Sequence, residues 1–149
     1  MKNITKEKAN YLIKKHMTRD PFEIAKGENI IVLYEPLGSI NGYYNKYARQ
    51  RFIHINNSLE ERLQHFACAH ELGHAILHPA SNTPFLLANT FQSVSKLEQQ
   101  ANMFALEFVD RNEFATIEQL ACYYHVPVEI IMSKYYDEYR GGWICIERI

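Results

Sequence analysis

Residues 58–79 read SLEERLQHFACAHELGHAILHP. Leu59, Leu63, Phe66, Ala67 and Leu77 recur at helical spacing, which predicts an amphipathic helix with one apolar stripe. Ser58-Leu59-Glu60-Glu61 fits a capping box, so the helix is expected to start near Leu59, and Pro79 suits its far end. His70 and His74 continue the stripe and are expected to face inward. At about 100° per residue they lie roughly 40° apart around the axis, so two imidazoles can reach one metal ion. Glu71 projects to the adjacent side, where it can hold a water without being a ligand. This His-Glu-x-x-His layout is that of a zinc hydrolase, in which Zn²⁺ brings the pKa of its water towards ~7 and a carboxylate takes the proton.

A shuffled chain of this composition would show the string with a probability of roughly 3 %, so context has to carry the assignment. The plain structural alternative is a pair of core histidines hydrogen-bonded to backbone. Two imidazoles and a carboxylate on one buried face each need a partner, and unpaired burial costs about 1–3 kcal/mol per group. One metal ion partners both imidazoles. Gly73 costs about 1 kcal/mol against Ala in a helix interior, which suggests that another backbone approaches there.

A third ligand is required. The metzincin continuation would place Gly at position 77 and His at position 80; this chain has Leu77 and Ala80. A carboxylate from a later helix is the alternative. Lys96 to Val109 has the period of a helix whose apolar face is Leu97, Ala101, Phe104, Ala105 and Phe108. Glu98 lies at the edge of that face, Glu107 off the other edge, and Asp110 on the polar side. Spacing favours Glu98, although Ser95-Lys96-Leu97-Glu98 also fits a capping box that would make Glu98 a cap.

Asn57-Ser58-Leu59, His70 through Pro79, and Glu98-Gln99-Gln100-Ala101-Asn102-Met103-Phe104-Ala105 together resemble the ImmA/IrrE family of metallopeptidases. The likeness extends weakly upstream through Gly42-Tyr43-Tyr44 and Arg51-Phe52-Ile53-His54-Ile55-Asn56, and covers residues 30 to 110 well. It implies His70, His74 and Glu98 as metal ligands and Glu71 as the catalytic acid/base. It also implies a zinc-dependent, site-specific endopeptidase that cleaves a helix-turn-helix repressor and so induces phage, mobile-element or stress genes. Zn²⁺ is the expected cofactor, with Mn²⁺ or Fe²⁺ compatible with the same donors. The alternative is a metal-containing antirepressor that binds and sequesters the repressor without cutting it. An intact Glu71 favours the peptidase, because a purely structural site would not need it.

Working outward, 149 residues suit one domain, 1–149, with a helical C-terminal subregion over 110–149. Apolar content of 47 % and charged content of 22 % are those of a soluble protein. Met1 to Lys8 lacks a signal peptide's apolar segment, and no apolar run approaches a membrane span, so the expected location is the cytoplasm. Cys68, Cys122 and Cys145, an odd number without paired zinc spacing, fit a reducing compartment, with Cys68 a packing residue.

Thr5 to Met17 reads as a helix, Pro21 to Gly27 as a short one opened by Asp20, and Asn29 to Tyr34 as a strand. Asn41-Gly42 is a hairpin-turn signal. Arg51 to Ile55 alternates as a strand beside the His70 helix, and an extended substrate segment is expected to add beside it. The fold class is therefore α+β, zincin-like, with a small, mainly antiparallel sheet. Phe85, Leu86 and Leu87 in the 79–95 connection are expected to pack as core. Leu120 to Pro127, followed by Val128 to Tyr136, resembles a helix-turn-helix. Its second helix carries Glu129, Lys134, Asp137 and Glu138, and the net charge is −1, so no nucleic-acid binding is expected from it. Packing on the core or docking of substrate is the expected role. His54 and His65 are expected to be structural or exposed, and Asn102 to orient Glu98. His78 could approach the site, with service to the helix C-terminus the simpler account. Tyr43 or Tyr44 could stabilise an oxyanion, with core packing the expected use.

Overall fold

The computed structural model describes residues 2–80 and 91–135. Six α-helices and a three-stranded sheet lie among them: α1 (Lys2–His16), α2 (Pro21–Gly27), β1 (Ile30–Glu35), β2 (Gly42–Tyr47), β3 (Gln50–Asn56), α3 (Glu61–Leu77), α4 (Phe91–Leu106), α5 (Ile117–Tyr124) and α6 (Val128–Lys134). A 3₁₀ turn at Arg111–Glu113 links α4 to α5. The class is mixed α and β with a small sheet. Phe85 to Leu87 and the chain beyond Tyr135 lie outside the described residues.

The sheet runs in the order β1-β3-β2. β2 pairs antiparallel with β3, and β1 pairs parallel with it. The expected mainly antiparallel pairing therefore holds at one of the two strand pairs. The reason lies in the turn. Asn41-Gly42 does not form the hairpin; Gly42 opens β2. The tight turn is Ala48-Arg49, with φ of 50° and 72°. Two successive positive φ values suit a two-residue hairpin loop whose twist matches the strands it joins. This turn folds β3 back into the middle of the sheet, against β1. As the central strand, β3 has both edges paired, so no substrate segment can add beside Arg51–Ile55. The free edge on that side is β2.

Strand alternation divides the two faces of β3. Ile53 and Ile55 are fully buried, in one cluster with Leu72 of α3, Ile24 of α2 and Leu12 of α1. Each such side chain contributes about 1.5–3 kcal/mol relative to exposure. α3 packs across β2 and β3 on one side and along α4 on the other. It starts at Glu61, later than the capping box predicts, because Ser58 is taken by Asn56: Asn56 Oδ1 accepts the Ser58 N–H at 3.1 Å and its hydroxyl at 2.8 Å. α4 starts at Phe91, earlier than Lys96, so Glu98 lies inside the helix and is no cap. Gly73 faces α4 as expected of a close approach, but the neighbour is a side chain: a Cβ there would sit 3.1 Å from Phe104.

α5 and α6 form the expected helix pair. Thr116 caps α5 through Oγ1, which accepts the Gln119 N–H at 3.1 Å. Leu120, Tyr124 and Ile131 then build a second apolar cluster with Leu106 of α4 and with Leu63 and Phe66 of α3. The pair thus packs on the two helices that carry the histidines and Glu98.

Candidate metal centre

α3 sets His70 and His74 on the side facing α4, and α4 sets Glu98 opposite them. His70 Nε2 lies 2.9 Å from Glu98 Oε1, and His74 Nε2 lies 3.0 Å from Glu98 Oε2. One donor atom from each of the three residues falls within 4.8 Å of the others. Among the described residues this is the one group of three or more His, Cys, Asp or Glu side chains so arranged. Two imidazole nitrogens and a carboxylate converging in this way form a donor set that could hold a divalent ion.

The surroundings prepare the donors. Asn102 Oδ1 lies 2.8 Å from His70 Nδ1 and accepts a hydrogen bond from it, which fixes the ring with Nε2 towards Glu98. Asn102 therefore orients His70 and not Glu98 as expected. Burial opposes charge on His70, but the Glu98 hydrogen bond and the Glu71 and Glu98 charges outweigh it and raise its pKa. Burial alone would raise the Glu98 carboxyl; the hydrogen bonds and charges of His70 and His74 hold it far below the usual carboxylate range.

Glu71 differs in kind. It is buried, and its Oε1 has no hydrogen-bond partner among the described residues. Burial raises its pKa most, the two histidines lower it, and Glu98 raises it further, for a net increase. A carboxylate raised in this way is the better base near neutral pH. Gly42 of β2 leaves the space beside it open: a Cβ at position 42 would lie 3.6 Å from Glu71 Cγ and only 2.7 Å from the His54 carbonyl oxygen. Glu71, His70 and Glu98 line a cavity of about 570 Å³, walled on one side by Ser39, Asn41 and Gly42 and on the other by Phe66, Tyr124 and His125.

The remaining candidates are placed elsewhere. Glu107 is ion-paired with Lys134 of α6, and Asp110 accepts the Asn112 N–H at 3.0 Å. His54 is buried between Glu35 and Asn45, at 2.9 and 2.7 Å, and stacks on Tyr43 with ring centroids 4.1 Å apart. Tyr44 is fully buried and donates its hydroxyl proton to the Pro79 carbonyl at 2.6 Å. His65 packs edge-on against Phe22, and His78 caps α3 with its ring 5.9 Å from His74. Cys68 is fully buried, and burial pushes its thiol well up. Sequence reasoning missed Tyr124 and His125 as cleft residues, because nothing in their local pattern says that the helix pair closes over the His70 turn.

Residues 25–135 match the IrrE N-terminal-like domain family of peptidases. The chain belongs to the ImmA/IrrE family of metallopeptidases. An "uncharacterized immunity region protein 2" of Bacillus phage phi105 is 38 % identical over 139 residues, covering 87 % of this chain and 88 % of its own length. Metallopeptidase ImmA of Bacillus subtilis (strain 168) is 36 % identical over 135 residues, 82 % of this chain and 78 % of its own. Among the described residues no helix is long and apolar enough to cross a membrane.

Proposed function

We propose that this chain is a zinc-dependent, site-specific endopeptidase, built as one metallopeptidase domain over 1–149 and acting in the cytoplasm on a helix-turn-helix transcriptional repressor. The observation that carries this is the convergence of His70 Nε2, His74 Nε2 and the Glu98 carboxylate beside a buried carboxylate with an unpartnered oxygen. In this reading His70, His74 and Glu98 hold the ion, and Glu71 is the catalytic acid/base. A buried Glu71 at the cavity wall fits a carboxylate that holds a water for attack.

When bound, a divalent ion supplies Lewis acidity, polarising a carbonyl and acidifying a water. The chain's own groups do the rest. Glu71 takes the proton of the attacking water and returns it to the departing amide nitrogen. Asn102, accepting from His70 Nδ1, would orient the imidazole so that Nε2 faces the ion. The free edge of β2 offers backbone groups to an extended segment, which would then cross the cleft next to Gly42, where the absent side chain keeps the approach to Glu71 clear.

The repressor as substrate is supported by the family and by relatives named for a phage immunity region and for metallopeptidase ImmA. Cleavage would induce the genes that the repressor silences. A metal-containing antirepressor acting by sequestration would have no use for a buried Glu71 with a raised pKa. The test is a comparison of wild type with Glu71→Gln. Loss of repressor cleavage with repressor binding retained is expected; equal induction by both proteins would favour sequestration.

A further inference from the structure

His125 sits at the junction of α5 and α6 with φ 57° and ψ 42°, the left-handed region, where its N–H closes the helix on the Ala121 carbonyl. Glycine and asparagine take this position most readily, and a histidine there is under strain. Strain held at one point of a rigid frame is a reason to ask what the side chain does. Thr116 caps one end of α5, and Leu120, Tyr124 and Ile131 anchor the pair in the second core, so the junction is firmly placed. The His125 side chain is exposed, has no partner among the described residues, and lines the same cavity as His70, Glu71 and Glu98. The wall opposite, formed by Ser39, Asn41 and Gly42, brings no titratable side chain to the cavity.

We propose that His125 is a catalytic residue that donates an imidazole N–H to the substrate carbonyl oxygen as that oxygen becomes anionic. The proposal rests on the endopeptidase reading and deepens it. When water adds to the carbonyl carbon, the C=O π pair moves onto oxygen and Glu71 takes a proton. His125 stabilises the new negative charge through a hydrogen bond, with no net proton transfer. Collapse reforms the carbonyl and breaks the C–N bond, and the nitrogen leaves with the proton from Glu71. A donor aimed at charge that exists only in the transition state accelerates the reaction, whereas one that binds planar substrate equally well does not.

Tyr124 is the competing donor in the same wall. Its ring packs on Phe66 at a centroid distance of 4.4 Å, and burial pushes its phenol up to about 12. It is 7 % exposed and belongs to the second core, which leaves the exposed imidazole as the group free to follow a substrate.

The backbone geometry gives an unusual control. His125→Gly and His125→Asn both suit the left-handed position, so both are expected to fold with a Tm equal to or above wild type. The probes are N-phosphoryl-leucyl-tryptophan, which carries a tetrahedral anion, and the planar acetyl-leucyl-tryptophan amide, each titrated into the zinc-loaded full chain. His125→Gly should bind the tetrahedral probe at least tenfold more weakly and the planar probe within twofold of wild type. His125→Asn, which keeps an N–H donor, should recover part of the loss. Equal affinity of wild type and His125→Gly for the tetrahedral probe would overturn the proposal. So would a loss seen only in Tyr124→Phe. Repressor cleavage keeps the two claims apart. If cleavage needs Glu71 and His125→Gly is fully active, the His125 proposal alone fails. If Glu71→Gln cleaves like wild type, the endopeptidase reading fails and takes this one with it.

Discussion

Asn102 lies 2.8 Å from His70 Nδ1 and so fixes which imidazole nitrogen faces Glu98. Removing it with Asn102→Ala should weaken metal binding about 10–100-fold, the usual loss when such a supporting hydrogen bond goes. A competition titration with a chromogenic chelator checks this; affinity unchanged from wild type would show that His70 needs no such support. The pH dependence follows from the same neighbours. His70 has a raised pKa in the metal-free protein, so protons compete for Nε2 at higher pH than for an ordinary histidine near 6.5. Glu98 stays anionic throughout, because its pKa is pushed far down. With free zinc buffered near its dissociation constant at pH 8, occupancy should fall as the pH drops, with a midpoint above 6.5. Zinc content measured across a pH series checks the sign; a midpoint well below 6.5 would contradict it. The convergence of His70, His74 and Glu98 beside Glu71 was legible in the sequence because one helical turn and one helix face suffice to align them. Asn102 was legible as a supporting partner, but of Glu98. Its partner depended on how α3 and α4 are rotated against each other, which no local pattern carries.

At the scale of the elements, β2 and α3 meet at Gly42. A Cβ there would come within 2.7 Å of the His54 carbonyl oxygen, a backbone atom that cannot swing away. Gly42→Ala should therefore push β2 off β3, costing about 1–3 kcal/mol as overpacking does, and should misplace the cleft edge beside Glu71. Thermal unfolding and activity measured together test this; a Tm and activity both equal to wild type would refute it. Most elements were legible: the periods of α1, α3 and α4, the Asp20-Pro21 start of α2, the Ile/Val run of β1 and the alternation of β3 mark them in the sequence. The sheet order was not. Ala48-Arg49 carries no glycine or asparagine, yet both residues take positive φ, and the hairpin turns there because the strands on either side demand it. Asn41-Gly42 carries the turn signal but opens a strand, because glycine is needed there for close approach. Tertiary packing overrode local preference at both places. The start of α3 moved for a similar reason, with Asn56 claiming the serine that would have capped it.

At the scale of the whole molecule, Ser39, Asn41 and Gly42 at the start of β2 supply one wall of the cleft, and Phe66 of α3 with the end of α5 the other. A pair that resembles a DNA-reading motif in sequence is here built into the enzyme's own cleft. In the proposed reading an extended substrate segment lies along the β2 edge. The central claim is metal-dependent, site-specific cleavage of a repressor with Glu71 as the base. Its most direct test is mass spectrometry of the products when zinc-loaded wild type and Glu71→Gln are each incubated with a candidate helix-turn-helix repressor, and with unfolded casein as control. Wild type should yield two repressor fragments from a single cut and leave casein largely intact. Glu71→Gln should retain zinc and fold while cutting at least 100-fold more slowly, as loss of a general base predicts. An intact repressor with wild type, degradation of casein in its place, or equal cutting by Glu71→Gln would contradict the account.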